Sequence, residues 1–476
     1  MKFNKFLGLL AAVGILSSCT DNLDVAPTGD VSEGVLLSSV QGAEVALNGI
    51  YRNMYSYSER TDHFGEMAIK QALELKADDF YHLNRGYGWF TDAYTWTDYD
   101  ATLDRTEYIW SYYYENIANV NAILAKVDEL AGSDDEKAVV KGQALGLRAY
   151  YYLNLVQLYQ QTYVGNEAAP GVPIYIEPSS PDTPPAARST VQEVYDQVDA
   201  DLVAAEAEFD KVPAHSQEHS SHVDAKVVYG IKARAALIKN QWATAAEYAG
   251  KARAGINLAT GTAFNNGFSN ASRAEGWLWG LQVIGDQSTI YASWFSFVDN
   301  TVFGYAGLGM QKCINKQLFD RLGDTDSRKS LITDGDADIP YMFNKYRMTS
   351  PSTWAGDYVL MRAEEMLLIE AEAKAMLGQN AEAAQVLQEL VAVRDASHNV
   401  TSLTGAALLD EISFQRRVEL WGEGYRLFDL LRKKERLDRT NGGHNSGFAQ
   451  VMEREVGADG WVFEIPQAEL DANPNL

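Results

Sequence analysis

From about Gln41 onward, apolar positions recur at helical spacing in long runs separated by polar turns. Trp110, Tyr114, Ile117 and Asn121 fall on one face of a helix that continues through Leu124 and Val127. Leu147, Tyr151, Asn154, Leu155 and Leu158 repeat the rule in the next helix. The stretch 165–185 holds Pro170, Pro173, Pro178, Pro181, Pro184 and Pro185 and reads as a long ordered loop, because proline lacks the amide that a helix interior needs. A further helix is expected from Thr190 to Phe209, with Thr190 as N-cap and Glu193 completing a capping box.

Two later stretches resemble each other. Residues 229–249 align without gaps on 367–387, matching Ala233 with Ala371, Ala235 with Ala373, Gln241 with Gln379, Ala245 with Ala383 and Ala246 with Ala384. Small residues where antiparallel helices cross mark tetratricopeptide-type hairpins. The predicted fold class is therefore mainly α, a tetratricopeptide-like helical repeat scaffold with an irregular, loop-rich binding region. That region falls in two insertions, near 77–99 and 257–310, which are rich in glycine and aromatics and lack a steady helical period.

The first residues add a compartment. Lys2 and Lys5 precede an apolar run from Phe6 to Leu16, followed by Ser17, Ser18 and Cys19. This order reads as a lipoprotein signal peptide over 1–18, with Cys19 as the lipidated new N-terminus. Residues 19–40, polar and carrying Pro27 and Gly29, read as a tether, and 41–476 as the helical body. Losing 1–18 removes two lysines and no acids, which takes the formal net charge from −25 to −27. So acidic a chain repels phosphate backbones and anionic lipid headgroups, and no nucleic acid partner is expected. With Cys19 acylated, Cys313 has no intrachain partner.

Familiar catalytic signatures are missing: there is no P-loop, no nucleophile elbow and no H-E-x-x-H. His215, His219 and His222, with Glu218, share the spacing of a metal face, but the segment is polar on all sides and reads as a solvated linker. Asp334, Asp336 and Asp338 open like a calcium loop. Ile339 stands where an EF-hand needs glycine and Lys345 where it needs the closing glutamate, which leaves open only a looser structural calcium site. No cofactor is expected.

The aromatic loops carry the stronger signal. Tyr81, Tyr87, Trp89, Phe90, Tyr94, Trp96 and Tyr99 lie among Gly86, Gly88, Asp92 and Asp98. A sugar ring offers polarised C–H bonds to a flat aromatic face, while its hydroxyls need carboxylate or amide partners. A second cluster holds Tyr291, Trp294, Asn300, Phe303 and Tyr305. The expected ligand-binding residues are Trp89, Tyr94, Trp96, Asp92 and Asp98 from the first cluster, with Trp294, Asn300 and Tyr305 from the second. Trp110, on a periodic helix face, is expected in the core.

Four stretches resemble the SusD/RagB family of outer-membrane lipoproteins of the Bacteroidetes: LRAYYYLNLVQLY at 147–159, RSTVQEVYDQVDADL at 188–202, YVLMRAEEMLLIEAEAKAMLG at 358–378 and QRRVELWGEGYRLFDLLR at 415–432. The ending, from Ile465 to Asn475, is also similar to that family's. In 415–432 the residues themselves suggest structure, with Arg417, Glu419, Glu423, Arg426 and Asp429 pairing around the Gly422–Gly424 turn to clamp two helices. The resemblance implies a nutrient-binding lipoprotein at the cell surface of the outer membrane that docks on a SusC-like TonB-dependent transporter, captures an oligosaccharide and does not turn it over. Asp21 and Asp24 are similar to the acidic tethers of surface-exported members. Alternatives are a peptide-binding RagB-like lipoprotein, a surface glycoside hydrolase using Asp92, Asp98 or Asp100, and a pure scaffold with every aromatic buried.

Overall fold

Helix α1 (Val40–Asn53) starts where the Ser39 side chain accepts from the Gly42 amide, and it buries Val40, Ala43, Leu47 and Ile50 on one face. The structure, a computed structural model, describes residues 36–180, 182–213, 220–271 and 276–476. Cys19, the signal peptide, Asp21, Asp24, His215, Glu218 and His219 lie outside the described residues.

Helix α2 (Glu66–Lys76) is buried along its whole length. Helix α3 (Asp104–Leu124) buries Trp110, Ile117 and Asn121 as the periodicity expects. It stops at Leu124, and the buried Val127 belongs to a separate single turn, Val127–Glu129. Helix α4 (Asp134–Tyr159) opens on a capping box between Ser133 and Glu136, and α5 (Val191–Asp210) opens on the expected one between Thr190 and Glu193. Among its described residues the proline-rich stretch holds no helix and is tied to α3 and α4. The Asn121 amide donates to Tyr175 O at 2.9 Å, and the Tyr114 and Tyr152 hydroxyls donate to Pro173 O and Tyr175 O at 2.8 and 2.9 Å. These bonds replace the backbone ladder that proline denies to the loop.

The two alignable stretches form helical hairpins, α6 (Ala225–Ile238) with α7 (Trp242–Arg253), and α8 (Ala363–Met376) with α9 (Asn380–Arg394). Their turns are the same structure. Asn240 and Gly378 take the left-handed conformation at φ 55° and 78°. Gln241 and Gln379 follow as N-caps, and their amides bond Ala236 O and Lys374 O, each at 2.9 Å. Ala245, Ala249 and Ala252 are fully buried, so α7 packs closely on α8 and the hairpins join in one array. Helix α10 (Gly405–Glu419) covers α8 and α9, and α11 (Arg426–Lys433) lies against α2.

Three small antiparallel sheets follow, and the first two hold the insertions to the rest of the chain. Strand β1 (Phe80–Tyr81) pairs with β3 (Cys313–Ile314), and β2 (Trp277–Leu281) pairs with β4 (Tyr358–Arg362) in the register Trp277 to Arg362 and Leu281 to Tyr358. The third joins β5 (Leu437–Asp438) to β6 (Glu453–Arg454). Both strands of the second sheet are buried throughout, and so is the short helix Trp294–Val298. Much of the 257–310 insertion is therefore core.

The charged residues of 415–432 are ion-paired: Asp429 with Arg416 and Arg432 inside the stretch, the others with distant segments. Glu419 receives Arg362 at 2.7 Å, Arg394 at 2.8 Å and Arg328 at 3.1 Å. Glu423 receives Lys345 at 2.7 Å and Arg362 at 2.8 Å. Arg417 holds Asp79, Arg426 holds Asp78, and Asp429 lies between Arg416 and Arg432. Burial alone would raise the Glu419 carboxyl, and the Arg394 and Arg362 guanidiniums reverse that, holding it well below the usual carboxylate range.

Candidate functional site

Three loops far apart in sequence place aromatic rings side by side at the surface. The first, residues 84–90, turns at Gly86 (φ 51°) and Gly88 (φ 90°). Gly86 lies so close to Met310 that an added Cβ would stand 2.3 Å from its Cγ, so only glycine lets this loop rest on the second insertion. Phe90 anchors it: the ring is buried against Phe64 and Phe297, with centroids 6.1 and 5.1 Å away. With Phe90 turned inward, Tyr87 stays 66% exposed and Trp89 half-buried.

Tyr305 is the hub. One of its faces stacks on Phe297 at 4.8 Å and 18°. Around it, Tyr87, Tyr291 and Trp89 meet it edge-on, with centroids at 5.4, 5.8 and 6.2 Å. Trp354, from a turn closed by its amide on Ser350 O at 2.7 Å, meets Tyr291 at 4.8 Å and packs over Gly304. Phe303 projects beside this group, 69% exposed. The rings brace one another in T-shaped contacts, which fixes their angles without burying them.

A line of charges borders the first loop. Arg105 grips Asp92 at 2.9 Å and Asp62 at 2.8 Å, and Arg60 holds Asp62 at 3.1 Å and Asp104 at 2.6 Å. Burial alone would raise the Asp92 carboxyl, and the Arg105 guanidinium more than reverses this, holding it below its ordinary value. The Asp92 side chain is 36% exposed and keeps acceptor capacity toward solvent.

Five of the eight expected ligand residues lie elsewhere. Trp96 is buried; its indole N–H donates to Lys76 O at 2.9 Å and its ring meets Trp461 edge-on at 5.1 Å. Asp98 is fully buried as the 2.5 Å partner of Lys76. Tyr94 is fully buried, hydrogen-bonded to His444 Nδ1 at 2.8 Å beneath the Arg439 guanidinium. Trp294 is buried against Tyr346 at 5.3 Å. Asn300 acts as a backbone clip: its amide nitrogen donates to Phe343 O at 3.0 Å and its oxygen accepts from Lys312 N at 2.7 Å. All five are buried, and even Asp98 Oδ2, which has no hydrogen-bond partner, is out of reach of a ligand at the surface.

Trp89, Asp92 and Tyr305 remain at the surface. Sequence reasoning placed Tyr87, Tyr291 and Phe303 in the clusters without selecting them, and it missed Trp354. The available signal was a lone tryptophan in the small-residue run Ser350-Pro351-Ser352-Thr353-Trp354-Ala355-Gly356. Among the described residues, no three His, Cys, Asp or Glu side chains gather as a metal site needs. Asp334 spends an oxygen on the Asp336 amide at 3.1 Å, and His222 bonds Asn48 and Ser221 at 2.8 and 2.9 Å. No helix among the described residues is long and apolar enough to cross a membrane.

Comparison with known proteins converges. Residues 23–237 match the family model SusD-like_3, described as starch-binding and associating with the outer membrane, and residues 323–476 match the model of the SusD family. A SusD-like protein, P38, of Formosa agariphila is 22% identical over 489 residues, covering 90% of this chain and 91% of that protein. The crystal structure of a SusD-like carbohydrate-binding protein from Bacteroides vulgatus superposes with a TM-score of 0.82 at 28% identity, covering 92% of this chain and 97% of that one. A laminarin-binding SusD-like protein shares the fold at 18% identity, with a TM-score of 0.67 over 92% of this chain and 98% of that one.

Proposed function

The chain belongs to the SusD/RagB family, and from that premise we propose that it binds a nutrient oligosaccharide on the Tyr305 aromatic surface and hands it unaltered to a SusC-like TonB-dependent transporter. The observation that carries this reading is the exposed cluster of Tyr87, Trp89, Tyr291, Tyr305 and Trp354, assembled from three loops and bordered by Asp92. Rings set at fixed angles suit a chain of sugar residues, each presenting a C–H face to one ring and hydroxyls to the rim.

Binding without turnover is favoured by the state of the carboxylates. A glycosidase needs an acid with a raised pKa beside a second carboxylate, about 5–9.5 Å away. Asp92 is instead held low by Arg105, and Asp98 is buried against Lys76. Asp100, on the exposed side, accepts from Thr102 Oγ1 at 2.7 Å. A peptide captured by strand addition would need an open sheet edge, whereas β2 and β4 are buried throughout.

The test is a glycan and peptide array probed with the mature chain, followed by calorimetric titration of the best ligand against Tyr305→Ala. Loss of affinity of about 1–3 kcal/mol is expected, with chain length of the bound oligosaccharide unchanged on prolonged incubation. Peptide binding alone, shortened products, or full affinity in Tyr305→Ala would overturn the reading. The lipid anchor is tested separately: Cys19→Ala should leave the membrane fraction in cells lacking the transporter.

A further inference from the structure

Away from the aromatic surface, a chamber of about 60 Å³ lies where α2, α4, α6, α8 and the start of α11 converge. Its apolar wall includes Ile69, Leu73, Leu153, Ile238 and Phe428, and the half-buried Asn154 and Phe428 bring it to solvent. The carboxylates on its wall are already matched. Glu365 takes both arms of Arg234 at 2.7 Å and the Tyr425 hydroxyl at 2.9 Å. Glu423 has Arg362 and Lys345, Asp429 has Arg416 and Arg432, and Glu66 accepts from Tyr150 at 2.6 Å.

Lys70 is the exception. Its side chain is only 7% exposed, yet among the described residues its ammonium has no hydrogen-bond or ion-pair partner. The face of Tyr425 lies 5.4 Å from Nζ, and the Glu66, Glu365 and Glu423 carboxylates act on its charge without hydrogen-bonding it. The lysine stem is buried and its ammonium reaches the chamber with donors that no protein acceptor takes, which is where an anionic acceptor fits. The way to it is also built. A Cβ on Gly424, which has φ 88°, would stand 2.7 Å from Lys70 Cγ, so glycine there lets the lysine stem pass. Beside it, Arg416 Nη1 is buried without a partner as well.

We propose that this chamber is a second binding site, for a short aliphatic carboxylate, whose oxygens accept from Lys70 while its alkyl part lies on Ile69, Leu73 and Leu153. Size sets the class. The chamber is well under half of the roughly 150 Å³ that holds benzene, so its guest has about four or five heavy atoms. Ile69, Leu73 and Leu153 beside Lys70 suit the alkyl part of acetate or propionate, while the Glu66, Glu365, Glu423 and Asp429 carboxylates on the same wall repel doubly charged phosphate more than a single carboxylate.

Calorimetric titration of the mature chain with acetate, propionate and phosphate, at constant ionic strength in chloride, tests it. Saturable binding of the two carboxylates is expected, weakened about tenfold or more in Lys70→Met. The expected order puts phosphate below both. No saturable binding, equal binding in Lys70→Met, or phosphate binding as tightly as propionate would overturn the proposal. Wild-type crystals soaked in propionate give a readout that does not depend on the folding of Lys70→Met. A carboxylate within hydrogen-bonding distance of Lys70 Nζ is expected, and a chamber filled only by water would overturn the site.

Discussion

Trp89 and Trp96 stand seven residues apart in one glycine- and aromatic-rich segment, yet one lies at the surface and the other in the core. Phe90 is the pivot between them. With its ring inward and φ at 59°, Phe90 turns the preceding residues outward toward Tyr305 and sends the chain into the turn Thr91–Tyr94, which ends buried at Ala93 and Tyr94. Beyond that turn, the side chains expected to meet a sugar are buried in the protein. The Trp96 N–H goes to Lys76 O and the Asp98 carboxylate to Lys76 Nζ. Composition alone does not separate a binding loop from a core segment; whether the side chains are buried does.

The comparison breaks most visibly at Trp96. Trp96→Ala should lower the unfolding free energy by about 3–5 kcal/mol in urea titrations, while the fraction still folded binds glycan as before. Loss of affinity with wild-type stability would return Trp96 to the ligand surface. Trp89→Ala should do the reverse, with affinity lower by about 1–3 kcal/mol and stability changed by about 1 kcal/mol or less. At the rim, Tyr87→Ala should change stability by no more than about 0.5 kcal/mol and weaken binding less than Trp89→Ala does.

A further effect is one of pH and concerns the buried neighbour of Tyr94. Burial pushes the His444 imidazole down to about 3, with the Arg439 charge adding to it. The neutral ring fits its bonds, its Nδ1 meeting the Tyr94 hydroxyl and its Nε2 facing Asp78 O. An unfolded histidine titrates near 6.5, so below that pH the unfolded chain takes up a proton that the folded chain refuses. The stability that the neutral ring contributes is full above about pH 6.5 and is lost as pH falls toward about 3. The unfolding free energy of His444→Gln should therefore fall less steeply between pH 6.5 and 4 than that of wild type. Equal slopes would mean that the ring is hydrated and that the Tyr94 side of the segment is open.

The scaffold was legible in the sequence because its signals are local. Thr190 and Glu193 sit three residues apart, and the hairpin turns are marked by Gln241 and Gln379 beside small residues at the helix crossing. The site was legible only in kind. What buries Tyr94 is His444, Arg439 and Phe448; what buries Trp96 is Trp461; and Trp294 is covered by Tyr346. None of these partners is within fifty residues of the ring it covers, and no local period announces them. The charges of Glu419 and Glu423 likewise suggested a local clamp, while their partners Arg328, Lys345, Arg362 and Arg394 lie outside the stretch 415–432.

The three-loop origin of the aromatic surface makes capture a report on assembly. Tyr87, Tyr305 and Trp354 span more than half of the chain, and none forms a receptor alone. A chain whose segments have not all docked displays hydrophobic rings without the angles that select a ligand. A ligand that touches all three loops favours the finished molecule over each unfinished one by mass action. On the proposed function, a misassembled copy presents no cargo, and cargo bound to a sound copy staples its most distant segments together.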